Sequence, residues 1–422
     1  MPHHPPIAID RTGADIHAEL AALRRRGPVS RIELPGSVPA WSVTGYDAAL
    51  RVLGDPRFSK DPRKHWPAFR NGEIGADFPL IGWVLMDNLT TAHGSDHSRL
   101  RRLTAKAFTP RRVEAMRPVI EQAATELLDE LAAVAPGESV DLKKRFAHPL
   151  PARVISDLFG VPPEERTELL RGGEVNVDTT TSPEDAAANV ERWHQQMHEF
   201  VERKRRAPGD DLTSDLIAAQ EADGSRLSPS ELVGTLHLML ATGTEPVMNL
   251  IGNAVHALLT HPEQYEQVRK GDADWDDVIE ETLRAEAPVA HLPFRFATED
   301  VEVGGVTIRQ GDPVLVAFAA VGRDPAVHGA SADRFELSRE DKTHLSFGHG
   351  IYRCIGMPLA RAELAIALPA LFQRFPDIEL AVPPDRIRPQ STFIMNGLES
   401  LPVRLGPVGG RPVGGRPMGG RG

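Results

Sequence analysis

The chain has 422 residues, 48 Lys+Arg against 59 Asp+Glu for a net charge of -11, and 41% hydrophobic with 25% charged residues. That is the mix of a globular protein, not of a disordered chain, and an acidic balance argues against general nucleic-acid binding, which needs a basic face. A single cysteine, Cys354, excludes intramolecular disulfides and multi-cysteine zinc sites, and no apolar run approaches the ~20 residues that span a bilayer. The expectation is a cytoplasmic protein with neither membrane nor nucleic acid as partner.

From the N-terminus, Met1 to Asp10 is His- and Pro-rich and lacks the charged-then-apolar pattern of a signal peptide. Pro118 to Val134 places Val119, Ile120, Ala123, Leu127 and Leu131 at helical spacing, with Pro118 suited to a first turn. Glu184 to Arg206 reads as a helix, as does Ser228 to Thr260, where Ser228-Pro229 and Glu231 form a capping-box signature. Strand-like alternation is confined to short pieces: Val301 to Arg309 around a Gly304-Gly305 turn, and Asp312 to Ala319. Met357 to Phe372 is again helical. These elements predict one mainly-α domain with small accessory β-sheets over residues 1–405. From 406 to 422 the string Pro407-Val408-Gly409-Gly410-Arg411 recurs every five residues, which predicts a disordered Gly/Pro/Arg-rich tail, either inert or touching something acidic through its arginines.

The cysteine lies in Phe347-Gly348-His349-Gly350-Ile351-Tyr352-Arg353-Cys354-Ile355-Gly356, just before a helix. A helix N-terminus favours thiolate, and glycines let backbone approach something flat and donate N–H groups to sulfur. A lone cysteine can equally be a small buried hydrophobe. This segment, however, resembles the haem-binding loop of the cytochrome P450 family, Phe-x-x-Gly-x-His/Arg-x-Cys-x-Gly, through Phe347, Gly350, Cys354 and Gly356. Position 352 departs, with Tyr where His or Arg is usual; its hydroxyl could still donate to a carboxylate.

Three further segments match in order. Glu281-Thr282-Leu283-Arg284 is similar to the family's Glu-x-x-Arg motif, a structural pair expected to recruit Arg334 or Arg339. Asp96 to Arg102 is similar to the helix whose His and Arg bind a haem propionate, and Phe294 to Asp300 to the strand that supplies another arginine. The resemblance implies the cytochrome P450 fold and haem b (iron protoporphyrin IX) ligated by Cys354. It also implies propionates held by His97, Arg101 and Arg295, with His349 and Tyr352 as further candidates, in a loop that includes Phe347, Gly348 and Gly356. The substrate pocket would be lined by Trp83, Leu238, Ala241, His291, Leu292, Pro293, Ile394 and Met395.

The oxygen-activation segment departs most. Thr242-Gly243-Thr244-Glu245-Pro246 keeps the acid as Glu245 but has Pro246 where the family's proton-delivering Thr is expected. Proline removes the N–H that would bond the Thr242 carbonyl, and could fix a kink. Thr242, four residues earlier, lies within roughly 40° of Pro246 around the helix, whereas Thr244 lies roughly 200° away. The Thr242 hydroxyl could therefore replace the missing relay, or merely back-bond to a helix carbonyl. Three readings follow: C–C or C–N oxidative coupling of an aromatic natural product, with a tryptophan-containing cyclic dipeptide as one candidate; ordinary hydroxylation or epoxidation, with Thr242 or water relaying protons; and a haem protein that binds ligand or uses peroxide. Trp66, Phe69, Phe78 and Trp83 crowd a loop expected to roof the pocket and lean toward an aromatic guest. The 422 residues leave no stretch that reads as a flavin domain, so the expectation is that electrons come from a separate ferredoxin and ferredoxin reductase. Arg99, Arg101, Arg102, Lys106, Arg111, Arg112, Arg353 and Arg361 would form the docking face.

Overall fold

The computed structural model describes residues 5–75, 78–105, 108–219 and 224–409. Eight helices build the site: α1 (Gly94–Ala105), α2 (Pro110–Ala132), α3 (Pro149–Phe159), α4 (Arg166–Val177), α5 (Pro183–Arg206), α6 (Pro229–Thr260), α7 (Trp275–Ala285) and α8 (Met357–Arg374). The long central α6 starts where expected: Ser228 Oγ accepts from the Glu231 N–H at 3.1 Å, and the Glu231 carboxylate accepts from the Ser228 N–H at 2.8 Å. It then runs as unbroken helix through Pro246 to Thr260. Helix α2 begins eight residues before the expected start. Thr109 caps it and Pro110 takes the first turn, the chemistry assigned in the sequence to Pro118, which instead lies in the helix interior.

The strands are β1 (Ile7–Ala8), β2 (Val29–Leu34), β3 (Val38–Val43), β4 (Phe58–Ser59), β5 (Ser139–Asp141), β6 (Leu292–Ala297), β7 (Val301–Val303), β8 (Val306–Ile308), β9 (Pro313–Val316), β10 (Glu379–Leu380) and β11 (Pro402–Arg404). The β7–β8 hairpin turns at Gly304 and Gly305, both with positive φ, as the Gly-Gly signal predicts. The expected strand from Asp312 to Ala319 is shorter: β9 ends at Val316, and Phe318–Val321 is a helical turn. The largest sheet has six strands, ordered β1-β2-β3-β9-β6-β4. It joins the first 60 residues to β6 and β9, a pairing that local alternation cannot reveal because each strand is short. One apolar cluster gathers around α2, α3, α6 and α8, and a second fills the face of this sheet.

The expected tail is fixed at its root, where the Gly409 N–H donates to the Arg374 carbonyl at 2.8 Å. Its remainder, 410–422, lies outside the described residues, as does Lys106. Among the described residues no helix is long and apolar enough to cross a membrane.

Candidate active site

The cysteine loop is shaped by its backbone. Gly348 and Gly350 take positive φ, near 72° and 69°, which side-chain-bearing residues rarely adopt. The Cys354 N–H closes the loop on the Phe347 carbonyl at 2.8 Å. Gly356 is the N-cap of α8, and a Cβ there would stand 3.8 Å from Cys354 Sγ. The thiol is accessible. Crowding by protein raises its pKa, against the N–H groups of Gly356 and Met357 and the guanidiniums of Arg101 and Arg353, which lower it. Phe347 packs beneath Arg361, whose guanidinium lies 5.1 Å from the ring centre.

Beside this loop the structure gathers cations around one ring. Tyr352 has the Arg295 guanidinium 4.9 Å from its centroid, the Lys60 ammonium at 5.9 Å and the His97 ring at 4.1 Å. Its hydroxyl donates to the Ala92 carbonyl at 2.8 Å, so the O–H foreseen as a donor to a carboxylate is already committed. Both ring nitrogens of His97 and Nε of Arg295 are buried without a hydrogen-bond partner. Burial pushes Arg295 down to about 10 and His97 down to about 4, with neighbouring cations adding to both the crowding and, for His97, the shift. Burial also lowers Arg101, while Cys354 opposes that shift. Among the described residues, Lys60, Arg101 and Arg295 form no ion pair. Buried cations without counter-charge are costly. A planar group carrying two carboxylates and an iron that takes one thiolate fits this donor set, with the carboxylates toward Arg295, His97 and Arg101 and the metal toward Cys354. His349 is elsewhere: it is exposed, packs over Gly54, and lines a cleft with Tyr46, Leu50 and Arg361.

Glu281 and Arg284 meet fully buried, through two bonds of 2.7 Å. The remaining donors of Arg284 reach the carbonyls of Gly322, Ala332 and Arg334. Glu281 also accepts from the Glu336 N–H and from Arg339. Of the two arginines anticipated, Arg339 joins by side chain and Arg334 only by its carbonyl.

On α6, Leu238, Ala241 and Pro246 are half-buried and Thr242 is exposed, whereas Thr244 and Glu245 are buried. The Thr242 hydroxyl donates to the Leu238 carbonyl at 2.7 Å, and Thr244 does the same to Leu240 at 3.0 Å. Thr242 thus shares a face with Pro246 but is back-bonded. Burial raises the pKa of Glu245, with Lys143 opposing. Glu245 Oε2 and both amide atoms of Asn249, one turn on, are buried and unpartnered. Such an environment suits ordered water.

The anticipated aromatic roof divides. Trp66 stacks with Phe69 and Phe296 and meets Phe78 edge-on and Phe294 at a tilt, centroids 5.2–6.1 Å apart, so these rings belong to the sheet core. Trp83 packs against the same core from its edge, half-buried, its Nε1 donating to the Asn176 carbonyl at 3.2 Å. The other anticipated lining is mostly enclosed. His291, Pro293, Ile394 and Met395 are buried, the backbone of Ala290 and His291 bonding to Ile394, and Leu292 alone is half-buried. His291 Nδ1 lies 2.8 Å from the Phe393 carbonyl, and burial pushes the imidazole down to about 4. Beside a carbonyl Nδ1 must carry the proton, which leaves Nε2 an unpaired acceptor. The residues that sequence reasoning missed are Lys60 and Asn249. Neither carries a local signal, since their setting comes from strand pairing and helix burial.

The docking face is also thinner than its arginine count suggests. Arg99 pairs with Glu231, Arg112 with Asp215 and Arg361 with Glu280. Arg111 and Arg353 are exposed.

Residues 275–399 match the family model for cytochrome P450. The chain is 54% identical over 400 residues to 2-hydroxy-5-methyl-1-naphthoate 7-hydroxylase of Streptomyces carzinostaticus, covering 95% of this chain and 97% of that one. It is 40% identical to 6-deoxyerythronolide B hydroxylase of Saccharopolyspora erythraea, covering 95% and 98%. The solved structure of CYP154A1 from Streptomyces coelicolor superposes with a TM-score of 0.90 at 46% identity, over 94% of this chain and all of that one. The chain belongs to the cytochrome P450 family, and its enzyme class is that of the haem b-dependent oxidoreductases.

Proposed function

We propose that this enzyme is a monooxygenase of natural-product biosynthesis that hydroxylates an apolar, polycyclic aromatic small molecule, with electrons from a separate ferredoxin and ferredoxin reductase. The geometry that carries the reading is the accessible Cys354 thiol beside a cluster of unpartnered cations; the naphthoate hydroxylase, similar along nearly the whole chain, supports the substrate class. Cys354 would ligate the iron, and Arg295, His97 and Arg101 would hold the propionates, with Tyr352 as the surface they pack on. When bound, haem supplies the activation of O2 by two electrons and two protons. The chain's own part is to position and to protonate. Burial shifts the Glu245 carboxyl toward its protonated form, Asn249 offers a site for ordered water beside it, and the Thr242 hydroxyl lies on the face shared with Pro246. Leu238, Ala241 and Trp83 offer the partly open apolar surface for a flat guest.

Oxidative coupling is the second reading, favoured by Pro246, which removes the usual alcohol. All four rings that leaned toward it pack in or against the sheet core instead. Optical titration of the ferric protein separates the substrates: a hydroxylated 1-naphthoate should shift the Soret band to high spin more readily than a macrolide aglycone or a tryptophan-containing cyclic dipeptide. Turnover under isotopically labelled O2 should put one labelled atom in the product. A shift with the dipeptide alone, and an unlabelled coupled product, would replace hydroxylation by coupling.

A further inference from the structure

Lys60 is only 5% exposed and has no carboxylate partner. It follows β4, which pairs antiparallel with β6 through Phe58↔Ala297 and Ser59↔Phe296. Continuing that register by one residue sets Lys60 opposite Arg295. Two like charges directly across a ladder repel, and burial aggravates the repulsion. Asp61, the adjacent carboxylate, does not relieve it, because its side chain caps the N–H groups of Arg63 and Lys64. On the open side both cations lie over the same Tyr352 ring, whose hydroxyl is spent on Ala92. Position 352 is where the family motif has a His or Arg able to donate to the cofactor, and here it cannot donate.

We propose that Lys60 is a haem-positioning residue, its ammonium binding the propionate that Arg295 also holds and so replacing the donor lost at position 352. A shared carboxylate turns the Lys60–Arg295 repulsion into two charge-assisted hydrogen bonds. Burial and Arg295 together press the Lys60 ammonium down to about 7, so that without an anion its charge is only half retained near neutrality.

The inference rests on the placement of the propionates at Arg295, and the experiment separates the two. Transfer of haem from the ferric holoenzyme to excess apomyoglobin is timed for wild type, Lys60→Met, Lys60→Arg, Arg295→Met and the double variant Lys60→Met/Tyr352→His. The iron midpoint potential and the far-UV melting curve are measured on each. Lys60→Met should lose haem about tenfold faster, as expected for a lost charge-assisted bond. Its midpoint potential should fall, because a positive charge near the iron is gone. Lys60→Arg should stay near wild type, and Tyr352→His should recover most of the loss in the Lys60→Met background. Fast loss in Arg295→Met with wild-type behaviour in Lys60→Met overturns the role of Lys60 alone. Unchanged rates in both overturn the propionate placement and the proposal with it. Equal defects in Lys60→Arg and Lys60→Met, with lowered melting in both, make Lys60 a packing residue and also overturn it.

Discussion

Thr242 and Thr244 illustrate how two residues of the same type, two positions apart, acquire different settings. Both hydroxyls donate back to a helix carbonyl, but Thr242 is exposed in mid-helix and Thr244 is buried. Thr242→Ala should therefore lower the product formed per electron consumed several-fold, while Thr244→Ala should keep that ratio and lose about 1 kcal/mol of stability with its buried bond. Product yield against electrons supplied through the reductase and a thermal melt check both, and an equal drop in yield would remove Thr242 from proton delivery. The sequence set these two apart because helical geometry is strictly periodic. It also singled out Cys354, Arg295 and His97, whose motifs are local. It could not place Lys60, since the β4–β6 register that brings it to Arg295 spans more than 230 residues. Nor could it anticipate that the Tyr352 hydroxyl goes to Ala92 and not to a carboxylate.

At the level of elements, α7 is held on two sides. Arg284 and Glu281 tie it to the segment around residues 322–339, and Glu280 ties it to α8 through Arg361 and to His344. Burial alone would raise the Glu280 pKa, but hydrogen bonds from His344 and Arg361 outweigh it and hold the carboxyl down to about 2. A group with a depressed folded pKa stabilises above its unfolded value and loses that contribution as pH falls through the folded one. The increment from Glu280 should thus be complete above about pH 4.5 and vanish toward pH 2. Glu280→Gln should be less stable than wild type at pH 7, the difference closing as pH approaches 2 in denaturant titrations. A constant difference across that range would show that the ion pair carries no net charge coupling. Helix starts were legible where a cap announces them, as at Ser228. They were misread at Pro118 because an earlier Thr-Pro offered the same chemistry, and interior prolines survive when the surrounding packing holds the helix.

Across the whole molecule, charge placement bears on how the proposed ferredoxin would approach. Ion pairs neutralise Arg99, Arg112 and Arg361, leaving Arg111 and Arg353 exposed on the expected face. Reduction by an acidic ferredoxin should slow as ionic strength rises. Arg353→Gln should slow it several-fold at low salt, whereas Arg99→Gln should stay within about twofold, as expected for a charge already answered by Glu231. Stopped-flow reduction over a salt series tests this, and identical salt dependence in the two variants would place the donor elsewhere. Composition and helical periodicity made the mainly-α class legible, but the six-stranded sheet was not, because β1, β4 and β6 acquire strand character only from distant partners.

The rings around Trp66 have a consequence for motion. Trp66 and Phe78 pack on Phe294 of β6, Leu80, Ile81 and Val84 are buried in the same core, and Trp83 meets Asn176 on α4, so residues 62–75 and 78–85 are pinned at several points. A segment held at that many buried contacts moves with the sheet and not as a loose loop. The entry and release of a guest beside Trp83 would then be paced by how readily this packing loosens, more than by the one indole hydrogen bond to Asn176.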